Sequence, residues 1–151
     1  MYEGEGDLSV KGYLNKVSYE KFNLINLFPQ YDGKQLVPIE LPCTEEEAKK
    51  SNIDYTIINT IISSIAGISD NLDYDNDGYI DNFSIILKGG DDEVDSNTTL
   101  VSHKSDYGEN DKWSNKRLGT YNMLNTYSIS NSKAGVIAHE FLHSLGYPDL
   151  Y

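Results

Sequence analysis

A second cysteine is missing from this chain of 151 residues: Cys43 stands alone, which excludes an intrachain disulfide and leaves the redox compartment open. Positive charge is scarce. Lys and Arg number 12 against 24 Asp and Glu, and the net charge of -12 makes nucleic acid and anionic membrane surfaces poor partners and cations favoured ones. No apolar run approaches the roughly 18 residues a membrane helix needs, and the acidic opening at positions 1–5 is unlike the basic, then apolar, start of an export signal. Internal repeats and low-complexity tracts are absent. The length suits one domain or part of one, and the 12 tyrosines suit an exported protein. Histidine is rare as well, with 3 in all, yet two of them fall within the last thirteen residues.

Hydrophobic spacing sketches the elements. Val10, Tyr13, Leu14 and Val17 recur at intervals of three and four, which predicts an amphipathic helix over 9–19 capped by Ser9. Alternation predicts strands over 22–27 and 36–41, parted by turn residues at 28–33. Thr44 and Glu47 make a capping box that starts a helix. A pause is expected at Ser51-Asn52, and beyond it Tyr55, Ile58, Ile62 and Ile65 form an apolar stripe suited to a sheet face, with Gly67 as the stop. Positions 83–87 read as a strand at the sheet's centre, 91–98 as a polar loop, 100–103 as a short strand, 106–117 as a surface loop and 121–124 as an edge strand. Ser130-Asn131-Ser132 offer caps for a last helix running to about Leu145.

That last helix carries the chemistry. His139 and His143 lie four apart, so on a helix both imidazoles can reach one ion, and Glu140 stands where a zinc hydrolase keeps its proton-accepting carboxylate. The pattern extends to H-E-x-x-H-x-x-G-x-x-D. Gly146 can break the helix in a left-handed conformation, Pro148 stiffens the return by fixing φ, and Asp149 comes within reach as a third ligand. Three protein ligands leave the fourth tetrahedral position of a catalytic zinc open for water. In such a site the ion acidifies the water and polarises a carbonyl, while Glu140 accepts the proton and hands it to the leaving amine, so peptide-bond hydrolysis is the natural outcome. His103 is the rival third ligand, ranked below Asp149 because it has no helical partner.

A second pattern is acidic. Asp73-Tyr74-Asp75-Asn76-Asp77-Gly78-Tyr79-Ile80-Asp81 matches the calcium-loop pattern D-x-D-x-D-G, with Asp73, Asp75 and Asp77 at the first, third and fifth positions, the Tyr79 carbonyl at the seventh and Asp81 at the ninth. The twelfth position is Ser84, where an EF-hand needs glutamate, and a strand follows instead of a helix. The expectation is therefore an EF-hand-like structural Ca2+ site on a helix-to-strand turn, against the alternative of a solvated acidic turn.

Taken together, these residues resemble the M6 metallopeptidases, the immune inhibitor A family of secreted bacterial zinc proteases. The likeness runs through Ser9-Val10-Lys11-Gly12-Tyr13 and Val17-Ser18-Tyr19-Glu20-Lys21-Phe22, the acidic loop from Tyr74 to Asp81, Val101-Ser102-His103-Lys104, and the stretch from Gly135 to Tyr151 that holds the zinc motif. It implies a metzincin-like α/β fold, a mixed twisted sheet with packed helices corresponding to the upper subdomain. It also implies an extracellular setting, a protein or peptide substrate, and Zn2+ held by His139, His143 and Asp149 with Glu140 as base. Such folds continue into a methionine-containing turn beneath the metal, whereas Met1 and Met123 both precede the motif here. The chain is thus expected to be the upper part of a catalytic domain in a longer protein. Leu142 stands where many relatives have glycine. Two other readings stay open: a non-catalytic, calcium-stabilised binding or structural module with a vestigial zinc motif, and a zinc enzyme acting on another acyl compound.

Overall fold

The structure, a computed structural model, describes residues 9–28, 37–65, 71–90, 98–108, 112–113 and 115–149. Caps set the first helices. α1 (Val10–Val17) begins at Ser9, whose Oγ accepts from the Gly12 amide at 3.0 Å, and it buries Val10 and Leu14. α2 (Glu45–Lys50) carries the expected capping box: Thr44 Oγ1 accepts from the Glu47 amide at 3.3 Å, and the Thr44 amide donates to Glu47 Oε2 at 2.8 Å. After the pause at Ser51-Asn52, α3 (Asp54–Ser64) buries Ile57, Ile58 and Ile61, and each such side chain taken out of water contributes roughly 2 kcal/mol. The predicted stop at Gly67 lies outside the described residues, as do positions 29–33, Leu36 and 91–97.

The strands are β1 (Phe83–Leu87), β2 (His103–Asp106), β3 (Lys112–Trp113), β4 (Lys116–Arg117) and β5 (Thr120–Asn125). The main sheet has the order β1-β5-β2, with β5 parallel to β1 and antiparallel to β2, so it is mixed. α4 (Thr126–Ser132) and α5 (Ala134–Ser144) close the chain order. Alternation along β5 parts two cores. Tyr121 and Met123 join Ile57, Ile58 and Ile85 on one face, and Leu124 joins Leu14, Ile137 and Phe141 on the other. α3 therefore covers one face of the sheet and α1 and α5 the opposite one. No helix among the described residues is long and apolar enough to cross a membrane.

Several expectations are corrected. β1 is not central among the described strands; β5 is, flanked by hydrogen-bonded neighbours on both sides and buried from Tyr121 to Asn125. Its asparagines are no obstacle to that place: Asn125 Nδ2 donates to the Leu100 carbonyl at 2.6 Å and Asn122 is bonded to Asn82, so burial leaves neither unsatisfied. The strand near 100–103 starts at His103 instead, because Leu100 turns inward with 2% exposure. Within 106–117 the hairpin β3–β4 pairs Lys112 with Arg117, and Trp113 is buried, its Nε1 donating to the Ile65 carbonyl at 3.0 Å. No strand forms over 22–27 or 37–41: with no neighbouring ladder, Phe22 packs edge-on against Phe141 and Leu24 enters the same core. The last helical stretch is two helices. Asn125, not Ser130-Asn131-Ser132, supplies the side-chain cap, at the start of α4, and Lys133 at φ 52° and ψ -124° breaks the run before α5.

Candidate metal centre

α5 lays Ile137 and Phe141 into the core, which turns His139 and His143 towards a cleft. The helix ends in a Schellman turn: the Tyr147 amide donates to the Leu142 carbonyl at 3.1 Å and the Gly146 amide to the His143 carbonyl at 2.9 Å. Gly146 adopts φ +87°, the left-handed conformation that glycine tolerates best. The chain then doubles back and delivers Asp149 to the two imidazoles.

Three atoms converge. His139 Nε2 and His143 Nε2 are 3.1 Å apart, and Asp149 Oδ1 lies 3.4 Å from the first and 3.1 Å from the second. A tetrahedral ion with bonds of about 2.0–2.1 Å spans ligand-to-ligand edges of about 3.3–3.4 Å, so this triangle has the dimensions of one face of such a site. The donor set, two imidazole nitrogens and a carboxylate oxygen, is one that zinc accepts. His143 Nδ1 is 2.8 Å from the Tyr147 carbonyl. A carbonyl only accepts, so Nδ1 bears a proton, and Nε2, which faces His139 and Asp149, is the nitrogen that can offer a lone pair to an ion.

Glu140 is buried at the base of the cleft. Burial pushes its carboxyl above the usual range, opposed by His139, His143 and His103 and by a hydrogen bond from the Lys104 amide. The cleft, of about 560 Å³, is walled on one side by Ser102, His103 and Lys104 of the β2 region and on the other by the turn from Gly146 to Asp149. His103 is in this wall, but neither ring nitrogen is available to an ion: Nε2 lies 2.8 Å from Asp54 Oδ2 and Nδ1 2.6 Å from the Val101 carbonyl. Asp54, 1% exposed, also accepts from Thr99 Oγ1 at 2.7 Å and from the Tyr121 hydroxyl at 2.7 Å. Spacing offered no signal for this buried cluster, whose members come from three separate stretches of chain, at Asp54, at 99–103 and at Tyr121. Leu142 sits at the border of the α1–α5 core, where its bulk is accommodated.

In the acidic loop the carboxylates of Asp73, Asp75 and Asp81 offer oxygens within 4.8 Å of one another. Asp77 stands outside that group, its Oδ1 accepting from the Tyr79 amide at 2.8 Å. Asp73 is fully buried, and it accepts from the Asp77 and Gly78 amides at 3.0 Å and from Lys116 Nζ at 2.6 Å. Gly78 takes φ +93°, which the sharp turn requires. Lys116, which the sequence did not single out, holds the Asp73 carboxyl below its ordinary value through their hydrogen bond. Asp81 is raised by burial and by the neighbouring charges of Asp75, Asp73 and Asp77.

The family model for the immune inhibitor A peptidase M6 catalytic domain matches residues 30–151, which include the acidic loop, the cleft and the whole stretch from His139 to Asp149. No match was found among curated proteins or solved structures.

Proposed function

The chain belongs to the immune inhibitor A peptidase M6 family, and on that premise we propose that it is a secreted zinc-dependent endopeptidase in which His139, His143 and Asp149 hold the metal and Glu140 is the general base. A peptidase domain acts on protein or peptide. The observation that carries the finer reading is the triangle of His139 Nε2, His143 Nε2 and Asp149 Oδ1, with edges of 3.1, 3.4 and 3.1 Å, beside a buried glutamate. When bound, zinc supplies a polarised substrate carbonyl and an acidified water.

The chain's own residues then do the positioning and the proton work. Burial raises the proton affinity of Glu140, which suits a base that takes a proton from the attacking water at a carboxylate oxygen and returns it to the leaving amine. The Lys104 amide orients that carboxylate, and the Tyr147 carbonyl keeps His143 in the tautomer a metal needs. We also propose that the acidic loop is a structural calcium site, with Asp73, Asp75 and Asp81 supplying side-chain oxygens and Asp77 and the Tyr79 carbonyl completing the set. The convergence of three carboxylates and the left-handed Gly78 support it.

The test is zinc content of the purified protein combined with casein digestion before and after chelation. About one zinc per chain, with digestion that chelation stops and added zinc restores, is the expected result. Metal-free protein that digests casein equally well would sink the zinc mechanism.

A further inference from the structure

The zinc-motif helix is tied to the sheet by a closed ring of three side-chain hydrogen bonds. Asn82 Nδ2 donates to Ser144 Oγ at 2.9 Å, Ser144 Oγ donates to Asn122 Oδ1 at 3.0 Å, and Asn122 Nδ2 donates to Asn82 Oδ1 at 3.3 Å. Within the ring each residue gives one bond and accepts one; Ser144 Oγ also lies 3.3 Å from the Glu140 carbonyl one turn back, and Asn122 Nδ2 lies 3.5 Å from Ser84 Oγ. Asn122 is 1% exposed, in the middle of β5, while Asn82 and Ser144 are half-buried, so losing either of them takes a partner from a buried amide. Ser84 Oγ supports it by donating to Asn82 Oδ1 at 3.0 Å.

Its placement is what matters. Ser144 is the last residue of α5, directly after His143 and two before Gly146, where the chain turns to deliver Asp149. Asn82 directly follows Asp81, whose amide closes the acidic loop on the Leu72 carbonyl at 2.9 Å. Asn122 lies in the strand that both cores share. α5 has no side-chain cap at its start, where Lys133 breaks the backbone. The ring therefore anchors the end of α5 that carries the converging ligand atoms.

We propose that Asn82, Ser144 and Asn122 are positioning residues for the metal centre, acting through the end of α5 to hold His143 and the Gly146 turn in register with the sheet. The inference rests on the zinc reading given above. The ring touches no ligand atom, so its effect is on the geometry and affinity of the site and not on proton transfer.

The test uses zinc alone, its affinity measured by competition with a chromogenic chelator, together with the visible spectrum of the cobalt-substituted protein. Ser144→Ala is expected to weaken zinc binding about 10-fold, the usual scale for supporting groups around a metal, and to shift the cobalt bands, while Ser144→Thr, which keeps the hydroxyl, recovers most of both. Asn82→Ala should give a similar loss, and the double variant should be little worse than either single one, because one ring can be opened only once. If Ser144→Ala does not fold, Asn82→Ala carries the same comparison. Folded variants with unchanged affinity and spectrum, or losses that simply add, overturn the inference while the zinc reading stands. A wild-type protein that binds no zinc overturns the zinc reading and this inference with it.

Discussion

The His103 ring is held between two acceptors, Asp54 Oδ2 at 2.8 Å and the Val101 carbonyl at 2.6 Å, an arrangement that favours the doubly protonated ring. Burial is the largest single influence and opposes that charge, but the bonds to Asp54 and the Val101 carbonyl and the charges of Asp54 and Glu140 together outweigh it and keep the ring above its ordinary 6.5. Burial likewise opposes the Asp54 carboxylate, yet the bonds from His103, Thr99 and Tyr121 bring it below 3.8. His103 thus contributes stability that is full below pH 6.5 and lost as pH rises through its raised value, and Asp54 contributes stability that is full above pH 3.8 and lost as pH falls through its lowered value.

Asp54→Asn is therefore expected to cost roughly 3 kcal/mol in urea unfolding, since it strips a buried pair of its anion. The difference from wild type should be largest between pH 3.8 and 6.5 and should shrink on the alkaline side as His103 loses its proton. A cost that stays constant up to pH 9 would show that the pair is not ionised.

Glu140→Gln keeps the shape of the side chain and removes the carboxylate proposed as the base. Casein digestion should fall roughly 100- to 10,000-fold with zinc content unchanged. Digestion at the wild-type rate would remove Glu140 from the mechanism.

Gly146→Ala adds a Cβ that meets no atom within 4 Å, so the whole penalty comes from φ +87°. The expected cost is about 1–2 kcal/mol, with Gly146→Asn milder because asparagine tolerates the left-handed region. Zinc affinity should drop along with stability, because the turn is what returns Asp149 to the histidines. Retention of full affinity in a destabilised Gly146→Ala protein would place the third ligand elsewhere.

Calcium at about 100 times its dissociation constant should raise the melting temperature by roughly 5–10 °C if the acidic loop is a site. Lys116→Met, which removes the ammonium beside Asp73, should lower the melting temperature in chelator and enlarge the gain on adding calcium. A melting curve indifferent to calcium in both proteins would leave the loop as an acidic turn neutralised by Lys116.

What the sequence determined by itself is local. Ser9, Thr44 with Glu47, the four-residue spacing of His139 and His143, and the left-handed glycines Gly78 and Gly146 each act through partners within a few positions, where 3.6-residue periodicity and φ preference decide the outcome. The tertiary structure alone decided which strand is central, because the asparagines of β5 look solvated until their partners are brought to them. It alone joined Lys116 to Asp73 across 43 residues, His103 to Asp54 across 49 and Asn82 to Ser144 across 62. No periodicity encodes such pairs: they form only when folding removes water from both groups at once, and the cost of leaving either unpaired then selects the other.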